Sequence, residues 1–263
     1  MKTVLDMQRY KNKNQKISMI TCYDYTSAKI LNASDIDILL VGDSLAQVIY
    51  GFPNTLHATV PMMVSHTSAV SRGAPHKFLV ADMPFLSTRK GLQSAVESAG
   101  LLMTSGAQAV KIEGGREVNS CIEYLVASGI PVMGHLGLTP QFFHQLGGHK
   151  VQGRSDAAAD KILEDAILLE KAGCFSIVLE CIPSKLAKKI TEVLEIPTIG
   201  IGAGQYTSGQ VLVFQDMLGM QQDFHPKFLK VYETCSEKIL SAVNKYAAEV
   251  SLGHFPAMEH AYE

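Results

Sequence analysis

The sequence predicts an α/β protein, and specifically a (β/α)8 TIM barrel, on two observations. Eight short runs rich in apolar and β-branched residues recur along the chain, with helical patterns between most of them. These runs are nearly continuous in apolar residues, which is typical of parallel strands covered on both faces. Eight such units in about 220 residues favour a closed barrel over an open doubly wound sheet, the alternative that the pattern leaves open.

The order of the predicted elements follows from these patterns. The predicted strands occupy residues 16–24, 36–44, 78–85, 107–115, 130–137, 174–182, 196–204 and 209–217. The predicted helices cover residues 62–72, 90–106, 116–129, 155–173, 184–195 and 226–250. Gly106, Gly129 and Gly173 stand where a helix must end before the next strand, and Ser155 and Ser184 are candidate N-caps.

No linker-like segment or shift in composition divides the chain. We therefore expect residues 1–263 to form a single barrel domain, with a short N-terminal lead-in and a last outer helix followed by a C-terminal tail. The long loop 44–61 is a candidate for a lid or an interface element, and the glycine-bearing loop 141–155 has too much aromatic content for a spacer.

Composition and charge narrow the class of protein. The chain has 263 residues, is 47% hydrophobic, and carries a formal net charge of −2 without a basic stripe, so we expect no nucleic-acid or membrane partner. The N-terminus lacks the apolar core of a signal peptide. The five cysteines are scattered without a CxxC pair, which is typical of reduced thiols in a cytoplasmic protein.

Carboxylates follow three successive predicted strands. In a barrel of this kind the active site lies at the C-terminal ends of the strands, so Asp43, Asp82 and Glu113 are expected to lie close together. A single aspartate after a strand is more often a helix cap, which is our interpretation of Asp24. Three acidic residues at successive strand ends are unlike a set of caps, because Glu113 is a glutamate followed by two glycines and glutamate is a poor cap. Together they favour a site in which carboxylate oxygens bind a hard cation such as Mg²⁺.

Further polar residues end the neighbouring strands. Lys111 lies two positions before Glu113 and so shares its face of the strand, where a buried lysine needs an anionic partner. His135 is equally compatible with a core histidine and a functional one. Glu180 ends a buried strand and is a candidate general base. The "IGIGAG" turn (199–204) is only a weak phosphate-binding signal.

Several motifs resemble the ketopantoate hydroxymethyltransferase family. They are "VGDSLAQVIYG", "HTSAVSRGAP", "DMPF", "AVKIEGG", "GIPVMGHLGLTPQ", "QLGGHKVQGR", "IGIGAG" and "GQVLVFQDMLG". The combination of "GHLGLTPQ" with "LGGHKVQGR" is the most specific of these. The resemblance runs from about residue 17 to the C-terminal tail, with local departures at "TVPMM" (59–63) and "QYTSGQ" (205–210) that do not touch the site residues.

The resemblance implies a barrel of the phosphoenolpyruvate/pyruvate-type superfamily. It implies transfer of a one-carbon unit from 5,10-methylenetetrahydrofolate to 2-oxoisovalerate, through a Mg²⁺-stabilised enolate, in pantothenate synthesis. A large homo-oligomer, such as a decamer, is also implied. By the same resemblance Asp43, Asp82 and Glu113 hold Mg²⁺, with Glu113 reaching it directly or through water, and Glu180 is the proton acceptor. The residues expected to contact the oxoacid are Asp43, Ser44, Asp82, Lys111 and His135.

Two other functions are compatible with the same residues. One is a C–C lyase or mutase acting on another 2-oxoacid through metal-enolate chemistry, which a folate-free cleavage assay would detect. The other is a catalytically inactive barrel that serves as a binding or assembly protein. That alternative predicts loss of a metal or base residue, and all of these residues are present.

Overall fold

The computed structural model describes residues 2–223 and 225–262. Its contacts group the chain into two compact units, Met1–Leu212 and Val213–Glu263. The single domain expected over residues 1–263 stays a prediction, and each unit is described by itself below.

The first unit contains a closed barrel of eight parallel strands in sequence order, in which β8 pairs with β1. This confirms the predicted fold class. The strands are β1 Ile17–Thr21, β2 Ile38–Val41, β3 Phe78–Asp82, β4 Ala109–Glu113, β5 Val132–Gly137, β6 Ser176–Glu180, β7 Thr198–Ile201 and β8 Gly209–Leu212.

Helices cover the outside of the barrel and form most of its connections. In the first unit they are α1 Val4–Asn12, α2 Tyr25–Asn32, α3 Leu45–Val48, α4 Val60–Gly73, α5 Leu92–Thr104, α6 Asn119–Ala127, α7 Phe143–Leu146, α8 Asp156–Lys171 and α9 Ser184–Val193. Short 3-10 helices span Thr55–His57, Arg116–Val118 and Pro140–Phe142. None of the described helices is long and apolar enough to cross a membrane.

Most of the predicted helix ends agree with the structure. Gly106, Gly129 and Gly173 all adopt positive φ beyond a helix end, as expected of terminating glycines. Ser155 caps α8 by accepting a hydrogen bond from the Ala158 N–H at 3.4 Å. The N-cap predicted at Ser184 is wrong, because Ser184 is the first residue of α9 and the cap position is occupied by the preceding proline.

The barrel interior is apolar where the strands begin. Alternate residues of the strands point inward, because side chains of a strand alternate between its two faces. The inward side chains form one buried core, to which the lead-in helix α1 contributes the fully buried Met7. The other members of this core are Ile17, Met19, Ile38, Leu40, Phe78, Val80, Ala109, Met133, Val178, Ile199 and Val211.

The second unit comprises the helices α10 Phe214–Met217 and α11 Cys235–Ser251 and a 3-10 helix, Met258–His260. The strand predicted over 209–217 ends at Leu212, and the helix predicted over 226–250 begins nine residues late. Between the two helices, Tyr232 and Cys235 donate backbone hydrogen bonds to the carbonyls of Met217 and Leu218. These long-range bonds compete with a helical path, and sequence periodicity does not reveal them.

Candidate active site

The inward rows of the strands change from apolar to charged at the C-terminal end of the barrel. Continuing each row by two residues from Val80, Ala109, Met133 and Val178 reaches Asp82, Lys111, His135 and Glu180. One further step from Lys111 reaches Glu113. The strand register places Asp82 beside Lys111 and Glu113 beside His135. We call these five residues, together with Asp43 and Ser44 after β2, the charged layer.

Asp82 and Lys111 form a buried ion pair. The Nζ atom of Lys111 lies 3.0 Å from Oδ1 of Asp82, and the two side chains are 5% and 3% exposed. Burial lowers the pKa of Lys111, but the surrounding carboxylates, Asp82 first among them, outweigh burial and raise it. Lys111 is therefore a permanent cation inside the barrel, as its position in the sequence predicted.

The turn after β2 places Asp43 beside Asp82. Its backbone N–H donates to Oδ2 of Asp82 at 3.0 Å, which ties the end of β2 to the end of β3. A Cβ atom at the preceding Gly42 would come within 2.9 Å of the Ser44 hydroxyl and 3.5 Å of Asp82 Oδ2, so a larger residue here would displace the Ser44 hydroxyl. The Asp43 side chain does not cap α3, whose first turn follows at Leu45.

Among the described residues, no cationic side chain forms an ion pair with Asp43, since Lys111 pairs with Asp82. Burial, and then the neighbouring charges of Asp82 and Glu113, raise its pKa well above the usual range, while Lys111 opposes this shift only in part. Burial likewise raises the pKa of Asp82, against the effect of Lys111. A pair of buried carboxylates with raised pKa values binds either a proton or an added cation.

Glu113 has neighbours of a different kind. Its Oε2 accepts the backbone N–H of Gln141 at 3.0 Å, and its Oε1 lies 3.5 Å from Nδ1 of His135. Burial would raise the pKa of Glu113, but His135 and Lys111 together lower it. Glu113 is therefore a stable anion that faces the imidazole.

His135 lies between two carboxylates. Its Nε2 is 3.0 Å from Oε2 of Glu180 and its Nδ1 is 3.1 Å from Nζ of Lys111. Burial and Lys111 lower the pKa of His135, yet Glu113 and Glu180 outweigh them and raise it to about 9. The functional alternative for His135 thus has a physical basis, since the ring holds Glu180 in place from inside the barrel.

Glu180 differs from the other carboxylates in its exposure. Its side chain is 17% exposed, against 1% for Glu113 and 3% for Asp82. Close packing fixes the backbone around it, because a Cβ atom at Gly137, its register partner on β5, would lie 2.2 Å from the Glu180 carbonyl oxygen. Glu180 therefore combines a fixed backbone with a carboxylate that molecules outside the core can reach.

Two residues of the site were not predicted from the sequence. The phenol oxygen of the fully buried Tyr23 lies 2.7 Å from the Ser44 hydroxyl and orients it. The Nε2 atom of Gln141 donates to Oδ2 of Asp43 at 2.8 Å and to the Met83 carbonyl at 2.9 Å. "GLTPQ" was recognised as a family motif, but no signal in it assigned a contact to Gln141. Asp24 caps α2 through the Ser27 N–H at 2.8 Å, as predicted.

The donor set fits a divalent cation held by few protein ligands. In the described part of the chain no group of three or more His, Cys, Asp or Glu side chains could hold a metal ion by itself. Mg²⁺, however, is commonly bound through one or two carboxylates, with water and substrate oxygens completing its shell. Asp43 and Asp82 offer such a pair. When all are ionised, the four carboxylates of the charged layer exceed Lys111 and a protonated His135 by two negative charges.

Replacement of Lys111 tests the electrostatics of the layer. Lys111→Met leaves Asp82 buried without its partner, so we expect the free energy of unfolding in chelator to fall by about 3–5 kcal/mol. Added Mg²⁺ should restore more stability to the variant than to the parent protein. Denaturant unfolding with EDTA or Mg²⁺ measures both. Lys189→Met is the control: its pair with Asp160 is 3.8 Å long and exposed, and its loss should cost less than about 1 kcal/mol. Equal losses in the two variants would contradict the predicted role of Lys111.

A closed parallel barrel with a cluster of acidic residues at the C-terminal strand ends is typical of enzymes that act on small molecules. A family model described as ketopantoate hydroxymethyltransferase matches residues 1–258. The chain belongs to the ketopantoate hydroxymethyltransferase family, as its motifs predicted.

Curated relatives agree with this assignment. Proteins named 3-methyl-2-oxobutanoate hydroxymethyltransferase from Bdellovibrio bacteriovorus and from Francisella tularensis subsp. novicida are 56% and 52% identical to the chain. The alignments cover 100% of the chain in both cases, and 100% and 99% of the relatives. The prediction of an enzyme, a hydroxymethyltransferase of this kind, is confirmed.

Solved structures share the fold at low sequence identity. A phosphonopyruvate hydrolase in complex with oxalate and Mg²⁺ aligns with a TM-score of 0.64 at 10% identity, covering 99% of the chain and 93% of that protein. A 2,3-dimethylmalate lyase, described as a PEP mutase/isocitrate lyase superfamily member, aligns with a TM-score of 0.60 at 14% identity and covers 100% and 93%. These likenesses confirm the barrel type, and at such identities they show the fold alone.

Proposed function

We propose that the chain transfers a one-carbon unit from 5,10-methylenetetrahydrofolate to C3 of 2-oxoisovalerate and produces ketopantoate for pantothenate synthesis. The observation that carries this proposal is the division of the charged layer. Asp43, Asp82 and Lys111 form a buried, charge-bearing part, whereas Glu180 is the more exposed carboxylate. The first part suits a 2-oxoacid anion, and the second suits removal of a proton from it.

Asp43 and Asp82 would hold Mg²⁺ together with Glu113, which accepts the backbone N–H of Gln141 and lies 3.5 Å from His135. Bound there, Mg²⁺ would supply Lewis-acid stabilisation of the keto oxygen as negative charge develops on it. Lys111 would pair with the carboxylate of the oxoacid, which the resemblance to the family assigns to it. The Ser44 hydroxyl, oriented by Tyr23, would donate a hydrogen bond to the same substrate.

Glu180 would remove the single proton on C3, and the electron pair of the C–H bond would pass to the keto group as an enolate. Imidazole Nε2, 3.0 Å from the Glu180 carboxylate, would hold this base toward the substrate. C3 would then form a carbon–carbon bond to the folate methylene carbon as one of the two C–N bonds of that carbon breaks, and the released nitrogen would take up the proton that Glu180 removed. Water would replace the second folate nitrogen on the same carbon and give that nitrogen a proton, so that a hydroxymethyl group remains on the product and tetrahydrofolate leaves.

The cellular location, oligomeric state and partners of the protein belong to the same proposal. The absence of disulfides among the five cysteines agrees with a reducing, cytoplasmic location, and the family resemblance implies a homo-oligomer such as a decamer. We place no nucleic acid or membrane among its partners.

Incubation of the protein with 2-oxoisovalerate, methylenetetrahydrofolate and Mg²⁺ tests the proposal. We expect ketopantoate, detected by mass spectrometry, and at least a tenfold loss of rate with EDTA, of which Mg²⁺ in excess should restore most. A parallel incubation without folate supplies C–C cleavage substrates such as 2,3-dimethylmalate. Cleavage there without ketopantoate formation in the first incubation would favour the lyase alternative and refute the proposal.

A further inference from the structure

Gln141 connects three neighbouring strand ends of the charged layer, although it lies on none of them. It is the middle residue of the 3-10 helix Pro140–Phe142, which follows β5. Its side chain bonds to Asp43 after β2 and to the carbonyl of Met83 after β3, and its backbone bonds to Glu113 on β4. The loop after the fifth strand thereby fixes the ends of the second, third and fourth.

The partners of the side chain determine which way round the amide lies. Both neighbours of Nε2, the Asp43 carboxylate at 2.8 Å and the Met83 carbonyl at 2.9 Å, are acceptors. An amide oxygen in this position would meet two acceptors and repel both, so the NH2 group must face them. Both of its protons are then used, and the amide cannot rotate without losing a bond to a buried group.

The contact is also selective among the oxygens of Asp43. The Gln141 amide donates to Oδ2 of the carboxylate. A neutral donor holds the carboxylate in place without contributing a charge. A lysine or arginine here would neutralise Asp43 and compete with a cation for it, and a glutamate would add a further repelling carboxylate.

We infer that Gln141 is a positioning residue of the reaction, which holds Asp43 in the orientation that binds the divalent cation and joins it to the strand end that carries Glu113. The inference rests on the proposed function, because it assigns Asp43 to the cation. Residues that hold a metal ligand in place affect metal affinity strongly, and their replacement typically costs about 10–100-fold. Gln141 meets the geometric requirement for such a residue, because its side chain holds the Asp43 carboxylate and its backbone holds Glu113.

Gln141→Leu removes both side-chain bonds and leaves the backbone bond to Glu113 possible. We expect the dissociation constant for Mn²⁺, measured by electron paramagnetic resonance on the full-length protein without substrate, to rise by about tenfold or more. The apparent KM for Mg²⁺ should rise with it, while kcat at saturating Mg²⁺ returns to within about threefold of the parent value, since the chemical groups are untouched. Gln141→Met, which preserves the length of the side chain, repeats the measurement if the leucine variant does not fold.

Gln145→Leu is the matched control, because Gln145 is an exposed residue of the adjacent helix α7. It should leave Mn²⁺ binding unchanged. A purely structural role for Gln141 would lower the melting temperature and kcat without a change in Mn²⁺ affinity, and excess Mg²⁺ would not correct it; that result, or an unchanged Gln141→Leu variant, would overturn the inference. If the parent protein neither binds Mn²⁺ nor forms ketopantoate, the proposed function fails instead, so the two failures can be distinguished.

Discussion

Glu180→Gln is expected to reduce the exchange of the C3 proton of 2-oxoisovalerate with deuterium oxide by about 10²–10⁴-fold, the usual contribution of a positioned general base. The amide has nearly the same shape as the carboxylate but cannot accept the proton. It can still accept a hydrogen bond from His135 Nε2, which lies 3.0 Å from the carboxylate, so the geometry of the layer should survive. Proton NMR of the oxoacid with Mg²⁺ and without folate measures this step in isolation.

Two further measurements test whether the loss of exchange is specific to the Glu180 carboxylate. Binding of 2-oxoisovalerate in the presence of Mg²⁺, measured by calorimetry, should persist in Glu180→Gln, since the buried Asp82–Lys111 pair is untouched. Glu192→Gln alters an exposed glutamate of α9 and should exchange at the parent rate. Full exchange in Glu180→Gln would refute its assignment as the base.

Asp43→Asn is expected to raise the Mg²⁺ concentration needed for half-maximal activity by more than about 100-fold, beyond the effect of residues that only support a ligand. The same substitution should not destabilise the protein. Because the folded protein raises the pKa of Asp43, ionisation of this carboxyl group opposes folding. The free energy of unfolding therefore falls as the pH rises from the pKa of the unfolded chain toward the higher pKa of the folded protein. At pH 7–8 and in chelator, the asparagine variant should therefore unfold at the same denaturant concentration as the parent protein, or at a higher one.

Asp24→Asn provides the matched control for Asp43. Asp24 also follows a strand, but it caps α2, a task that asparagine performs about equally well. This variant should change neither the Mg²⁺ requirement nor the unfolding midpoint. An Asp43→Asn enzyme with an unchanged Mg²⁺ requirement would show that Asp43 does not bind the cation.

Much of this architecture could be predicted from the sequence because strand residues alternate between two faces. The row Phe78, Val80, Asp82 is apolar until its last member, and that change marks both the inner face and the C-terminal end of β3. The spacing of Lys111 and Glu113 placed both on one face by the same rule. The ambiguity over Asp43 also resolves in structural terms, since its side chain bonds to Gln141 and does not cap α3.

Other features depend on contacts that no local pattern reveals. Gln141 reaches Asp43 across 98 positions of sequence, and Tyr23 reaches Ser44 across 21, only because the closed barrel brings these loops together. Likewise, the N-terminal lead-in is a helix whose Met7 fills the strand-start end of the barrel. The pairing of Glu113 with His135 follows from the register of β4 and β5 rather than from residue type.

The most direct test of the account is the rate of C3 proton exchange of 2-oxoisovalerate by the parent protein in deuterium oxide, with Mg²⁺ and with EDTA, in the absence of folate. The arrangement of Asp43, Asp82, Lys111 and Glu180 predicts enzyme-dependent exchange that needs Mg²⁺ and is lost with EDTA. Absence of exchange under conditions in which the oxoacid binds, or exchange that EDTA does not diminish, would contradict it.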